Sequence, residues 1–259
     1  MAEKPLGRVL IIAGSDSGGG AGIQGDLKTV QALGGYGMTA ITALTAQNTQ
    51  GVFGIHEVPV GFIAQQITLC LNDIGADAIK TGMLHSAAVI ETVAATLPAG
   101  IPLVVDPVMV AKGGAPLLAA EALSALKILL IPRATIITPN LPEAELLLGH
   151  PIAADGMEAA AQELLELGAS AVLLKGGHGE GPILTDILAI SGQKPLVFST
   201  KRVETRHTHG TGCTFASAIA TGLAQKQPLA DAVACAHEYV QGAIARAPGL
   251  GQGHGPLGH

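Results

Sequence analysis

The chain has 259 residues, 48% of them hydrophobic and only 13% charged, with a net charge of −6. Its 14 Lys and Arg residues are scattered, with only Lys201 and Arg202 adjacent, and form no basic stripe and no basic–aromatic interleaving, which argues against a nucleic-acid partner. No apolar segment is long enough to span a bilayer, and the run at residues 9–13 is too short for the core of a signal peptide. The three cysteines, Cys70, Cys213 and Cys235, are far apart and odd in number, which speaks for a reducing cytoplasm rather than a disulfide framework. Aromatics make up 2% and Trp is absent, so a core must be built from Ala, Leu, Ile and Val.

In chain order, residues 8–13 (RVLIIA) read as a buried strand that stops at Gly14. A long glycine-rich loop, GSDSGGGAG, follows, and then a helix over 23–33 that ends at Gly34-Gly35. Within this loop GAGIQG fits the dinucleotide pattern G-x-G-x-x-G, but it starts seven positions after the last strand residue, Ala13, and the expected acidic residue about 20 positions on is missing. No Gly-Lys dipeptide occurs, so a P-loop is absent too. Strands are expected at 38–45 and 52–58 around a polar turn at 46–51, then a helix over 61–71 and a strand at 76–80. A helix over 86–97 takes Ser86 as its cap. Strand 102–105 delivers Asp106, a helix covers 117–130, and strand 134–138 delivers Asn140 and Glu143. Asp155 is expected to cap a helix running to 167, and strand 171–174 delivers Lys175. Segments 183–190 and 195–203 read as an antiparallel pair, followed by helices at 213–224 and 229–246. The glycine-rich tail, 248–259, is expected to be loosely ordered.

Strands alternating with helices imply a mostly parallel sheet covered on both faces, one α/β domain over 1–259. In such sheets ligands lie beyond the C-terminal strand ends, where Asp16, Asp106, Asn140, Glu143, Lys175 and the Gly210–Cys213 turn all fall. Gly210 and Gly212 free the backbone N–H groups of that turn to converge on an anion, and the following helix adds the positive end of its dipole. Cys213 at the helix N-terminus is expected to favour the thiolate. A plain glycine turn with a buried cysteine is the other reading of the same stretch. Asp106 and Glu143 suit a hydrated Mg²⁺, with Asn140 orienting its shell, or else Asp106 and Asn140 cap neighbouring turns. Lys175 can reach a nucleotide phosphate, and the Gln47 amide matches the edge of an aminopyrimidine. His207 and His209 fit turn or packing roles better than phosphate contacts. Anion hole, divalent ion and lysine together would neutralise a transferring phosphoryl group, with Cys213 taking the proton of the attacking hydroxyl.

Seven segments in order, GSDSGGGAGIQ (14–24), TALTAQNT (42–49), IKTGML (79–84), VVDPVMVAKGG (104–114), TPNLPEAE (138–145), LLKGGHG (173–179) and HTHGTGCT (207–214), resemble the hydroxymethylpyrimidine/phosphomethylpyrimidine kinases of thiamin biosynthesis, members of the ribokinase superfamily. The resemblance covers nearly the whole chain. It implies a three-layer α/β sandwich without a sugar-kinase lid, commonly a homodimer. It also implies phosphorylation by ATP, with Mg²⁺, of 4-amino-5-hydroxymethyl-2-methylpyrimidine and then of its monophosphate. Gln47 would read the pyrimidine, with Gly14, Asp16, Met83 and Val110 in or near its pocket. Lys175, Asn140, Glu143, Thr208 and Thr211 would serve nucleotide and metal, and Gly210 and Gly212 the anion hole. Sugar-kinase relatives carry Asp where this chain has Cys213, which favours the pyrimidine over a sugar; pyridoxal phosphorylation and a non-catalytic pyrimidine-binding regulator are the alternatives. Two positions depart from the family pattern: His207 stands in place of Asn and Gly25 in place of Ala, the latter expected to matter only by about 0.5–1 kcal/mol of helix stability.

Overall fold

The computed structural model describes residues 6–109, 120–153, 155–177 and 181–259. Strand β1 (Arg8–Asp16) forms because residues 9–12 are all aliphatic, and each is fully buried. Among the described residues it is the third strand of a nine-stranded sheet formed with β2 (Tyr36–Asn48), β3 (Gly51–Glu57), β4 (Ala78–Thr81), β5 (Leu103–Val105), β6 (Ile136–Ile137), β7 (Ala171–Leu174), β8 (Ile183–Ile190) and β9 (Leu196–Lys201). The order is β3-β2-β1-β4-β5-β6-β7-β8-β9. All pairings from β2 to β7 are parallel, while β3 at one edge and β8 and β9 at the other are antiparallel.

The pleat of β1 sends its side chains alternately to two apolar layers. Leu10 and Ile12 pack with α2 (Val60–Asp73), α3 (Ala87–Thr96), α4 (Ala120–Ala125), α5 (Leu141–Leu148) and α6 (Met157–Leu165). Val9 and Ile11 pack with α1 (Gly22–Ala32), α7 (Thr211–Ala224) and α8 (Leu229–Ala245). The expected sandwich is therefore present. The antiparallel pair at 183–201 and the two closing helices lie close to where the pattern put them.

Four local expectations are corrected. Residues 46–48 are not a turn: β2 continues through them, and a register shift at Ala46/Gln47 leaves Phe53 as the extra residue on β3. Of the helix expected over 117–130, residues 117–119 lie outside the described residues; α4 covers Ala120–Ala125, and after it the chain loosens into a π turn (Leu126–Leu130) and a 3₁₀ turn (Ile131–Arg133) containing Pro132. Asp155 does not cap α6, whose N-cap is Gly156 with no side-chain bond; Ser86 holds the N-cap position of α3 but likewise makes no capping bond.

The fourth concerns the tail, which is packed rather than loose. The Gly253 N–H donates to Thr49 Oγ1 (3.2 Å), the His254 N–H to the Thr49 carbonyl (2.8 Å) and the His209 N–H to the Gly255 carbonyl (3.1 Å), and Leu257 is buried. Its glycines permit close approach: a Cβ at Gly253 would collide with the Thr49 carbonyl and one at Gly255 with the His207 ring.

One polar element lies wholly inside. Lys80 of β4 and Asp26 of α1 are both fully buried, with Lys80 Nζ 3.0 and 2.9 Å from the two Asp26 oxygens. Ser217 of α7 adds a 2.6 Å hydrogen bond to Asp26 Oδ1. Burial raises the Asp26 carboxyl, but the two-point contact holds Lys80 firmly cationic and keeps the pair ionised. Replacing Lys80 alone by Met should cost about 3–5 kcal/mol by stranding a buried charge, and adding Asp26→Leu should restore most of it. Urea unfolding of both variants, followed by circular dichroism, measures the difference.

Candidate active site

The parallel strands end along one edge of the sheet, and a cavity of about 680 Å³ opens there. Asp16 closes β1, Gln47 lies near the end of β2, and Met83, Asp106, Asn140 and Lys175 follow β4, β5, β6 and β7. Gly14, Glu143, Thr208, Gly210, Thr211, Gly212 and Cys213 also line the cavity. Sequence reasoning therefore assembled one site from these residues; Val110 lies outside the described residues.

Asp16 is an organiser of its own loop. Its Oδ1 accepts the Gly18 N–H (2.8 Å), and its Oδ2 accepts those of Gly20 (3.0 Å) and Ala21 (2.9 Å). Burial disfavours its charge, but these donors and His209 outweigh burial and hold the carboxyl below its usual range. The loop rests on Gly25 of α1, where a Cβ would come within 2.9 Å of the Gly20 carbonyl. Ala at this position would have to displace the loop, so the departure at Gly25 is a packing requirement and not merely a matter of helix propensity. His209, read from sequence as a turn or packing residue, points into the site, with Nε2 2.9 Å from Asp16 Oδ2 and 3.0 Å from the Gln47 amide. His207 instead packs against Gly255 of the tail.

The opposite wall carries charge. Asp106 Oδ1 accepts from Thr138 Oγ1 (3.0 Å) and from Lys175 Nζ (3.3 Å). Burial works against the Lys175 charge, yet Asp106 and Glu143 outweigh it and raise the amine. Asn140 and Glu143 form a reciprocal capping box at the start of α5, a helix the sequence reading missed although Asn-x-x-Glu is its signature. Asn140 is thus a cap, as the alternative reading had it. Burial lifts the Glu143 carboxyl to about 7, against the pull of Lys175.

The turn into α7 joins these walls. Gly210 adopts φ 86° and ψ 5°, a left-handed conformation, and any Cβ there would strike the Gly20 carbonyl. The Thr211 N–H turns back to the Thr208 carbonyl (3.4 Å), which leaves those of Gly212 and Cys213, residues that line the cavity, without an intrahelical partner at the positive end of the dipole. A Cβ at Gly212 would lie 3.4 Å from Lys175 Nζ and 3.8 Å from Asp106 Oδ2, so the turn, the lysine and the carboxylate meet at one point.

Cys213 stands beside that point, but its expected thiolate is not found. Although the residue is partly exposed on the cavity wall, burial pushes its thiol up to about 12; the Lys80 charge and the Gly22 N–H pull the other way and lose. With Cys70 and Cys235 replaced by Ser, alkylation of Cys213 by iodoacetamide should be slow at pH 7 and rise about tenfold per pH unit up to pH 10. Mass spectrometry of the labelled protein gives the rates, and a plateau below pH 9 would contradict the raised thiol.

The chain matches the family described as phosphomethylpyrimidine kinase over residues 16–258. It is 54% identical over its whole length to the thiamine biosynthesis bifunctional protein ThiED of Geobacter sulfurreducens, of which it spans 53%. It is 48% identical to the hydroxymethylpyrimidine/phosphomethylpyrimidine kinase of Haemophilus influenzae, over 97% of this chain and 96% of that one. An ADP complex of Bacillus subtilis pyridoxal kinase superposes with a TM-score of 0.89 at 38% identity, over 98% of both chains. Sequence motifs, fold and cavity agree, and the chain belongs to the phosphomethylpyrimidine kinase family.

Proposed function

We propose that this chain transfers the terminal phosphoryl group of ATP to the hydroxymethyl oxygen of 4-amino-5-hydroxymethyl-2-methylpyrimidine, and then phosphorylates the monophosphate. The observation that carries the reading is the meeting of the α7 turn, Lys175 and Asp106 at Gly212. A phosphoryl group in transfer spreads negative charge over its oxygens, and fixed donors and cations aimed at it supply most of the catalysis. The turn offers N–H groups, and Lys175 offers a buried charge already held by two carboxylates.

Mg²⁺ fits the same wall. It takes oxygen ligands, one or two carboxylates with substrate phosphates, and Asp106 and Glu143 are two carboxylates close enough to feel each other's charge. Among the described residues no cluster of three or more His, Cys, Asp or Glu is placed to hold a metal, so phosphate oxygens and water would complete the shell. When bound, the ion would neutralise charge on the phosphates. Thr208 and Thr211 flank the nucleotide end, and Gln47, Asp16, Gly14 and Met83 form the ring end. Cys213 lies between and takes the hydroxyl proton through its thiolate, a minor form near neutrality.

A homodimer is part of the proposal. Edge strand β3 leaves Phe53 70% exposed and Ile55 37% exposed, and an unpaired apolar edge invites a second strand. Among the described residues no helix is long and apolar enough to cross a membrane. The three unpaired cysteines suit a reducing cytoplasm. The pyridoxal kinase neighbour supports a second reading, in which pyridoxal occupies the ring end.

ATP consumption measured separately with hydroxymethylpyrimidine, its monophosphate and pyridoxal decides between them; turnover of both pyrimidines is expected, and preference for pyridoxal would overturn the assignment. Gln47→Ala should raise KM for the pyrimidine more than for ATP. Cys213→Ala should lower kcat about 10²–10⁴-fold and flatten a pH profile that, in the unsubstituted enzyme, climbs about tenfold per unit above pH 7 as the thiolate fraction grows. Phe53→Asp should shift the sedimentation coefficient from dimer to monomer.

A further inference from the structure

His209 occupies the middle of a polar chain that joins the loops at the ring end of the cavity. Its Nε2 lies 2.9 Å from Asp16 Oδ2 and 3.0 Å from the end of the Gln47 amide. One ring nitrogen carries either a proton or a lone pair, not both. Asp16 Oδ2 already accepts two backbone N–H groups, so the carboxylate is ionised and offers only lone pairs to His209. Nε2 therefore carries the proton.

That proton also settles the Gln47 amide, whose oxygen and nitrogen exchange places by a half-turn. With Nε2 toward the ring, two N–H groups would face each other. With Oε1 toward the ring, the oxygen shares the Nε2 proton with Asp16 Oδ2 in a three-centre hydrogen bond. The amide nitrogen then turns to Thr45 Oγ1, 3.2 Å from the other end, whose own proton goes to the Ser15 carbonyl (2.9 Å). In this arrangement every donor meets an acceptor.

The ring cannot swing away. Its backbone N–H is tied to the Gly255 carbonyl, and a Cβ at Gly20 would lie 2.6 Å from His209 Cδ2, so the loop presses on the imidazole.

The oriented amide still has one lone pair and one N–H to offer, in a fixed order: acceptor on the His209 side, donor on the Thr45 side. An aminopyrimidine edge offers the complement, an exocyclic amine beside a ring nitrogen. In this substrate the hydroxymethyl group is attached next to the amine-bearing carbon, so it falls on the His209 side, the side of the Gly210–Cys213 turn. The reverse docking would carry it away from the phosphoryl site. Pyridoxal has no exocyclic amine to match that order.

We propose, resting on the pyrimidine reading above, that His209 is a positioning residue that sets ring orientation and specificity, by locking the Gln47 amide with Oε1 toward the phosphate turn.

The test compares His209→Phe, His209→Gln and Thr45→Val, using calorimetric titration with hydroxymethylpyrimidine alone and steady-state KM for ATP. His209→Phe should weaken pyrimidine binding about ten- to a hundredfold, the range expected when a paired hydrogen bond is lost, with KM for ATP changed less than about twofold. His209→Gln, which keeps a donor near the Nε2 position, should recover binding to within about threefold of the unsubstituted protein. Thr45→Val should weaken binding as His209→Phe does, and the double variant should be no worse than either single, because one lost anchor already frees the amide. Selectivity for the pyrimidine over pyridoxal should fall about tenfold or more in His209→Phe. If the unsubstituted protein binds the pyrimidine but His209→Phe binds equally well, or His209→Gln is as impaired as His209→Phe, the role of His209 is refuted and the pyrimidine reading stands. If the unsubstituted protein neither binds nor phosphorylates the pyrimidine, the functional reading fails, and the role of His209 with it.

Discussion

Two glycine-rich loops, one after β1 and one before α7, press backbone against backbone, and a single carboxylate holds them there. Asp16 gathers three N–H groups of its own loop and reaches across to His209 of the other. Gly210 touches the Gly20 carbonyl with no room for a side chain. The anion-binding turn is therefore shaped not by α7 alone but by a loop nearly two hundred residues earlier in the chain. A carboxylate that accepts several backbone donors is hard to protonate and hard to move, which makes it a suitable fixed point for two flexible sequences.

Beneath this contact the sheet supplies rigidity and charge. Lys80 lies on β4 and Lys175 just beyond β7, parallel strands separated by β5 and β6, and each is neutralised by a buried carboxylate. Lys175 faces the cavity, whereas Lys80 works in a dry environment, where charges interact more strongly than in water. That environment also explains why Cys213 is not a ready thiolate. A helix N-terminus stabilises negative charge, but desolvation of the thiol, with Asp26 and Asp106 nearby, outweighs it.

Much of the fold was legible because hydrophobic runs of strand length alternate with helical spacing, and a parallel sheet brings all its C-terminal strand ends together. Asp106, Lys175 and the Gly210–Cys213 turn fell into one cavity for that reason. What was illegible depends on contacts between distant segments. His209 reads as a turn residue until Asp16 and Gln47 are seen beside it, and Lys80 reads as a strand-end lysine until Asp26 and Ser217 enclose it. Glycine is ambiguous in a sequence: in the tail it suggested looseness, whereas here it marks backbone pressed against Thr49 and the His207 ring. The cap on α5 was legible in Asn140-x-x-Glu143: a capping role for Asn140 stands among the sequence readings, but Glu143 read only as ligand chemistry and the helix itself was missed.

The docked tail has a consequence for what the cavity depends on. Residues 253–256 tie the β2–β3 turn, through Thr49, to the phosphate turn, through His209. They follow all nine described strands and all eight described α-helices. The sheet and both aliphatic layers draw their contacts almost wholly from earlier residues. The ring end of the cavity is thus joined by a segment that the scaffold itself scarcely uses, and the two can lose their order separately.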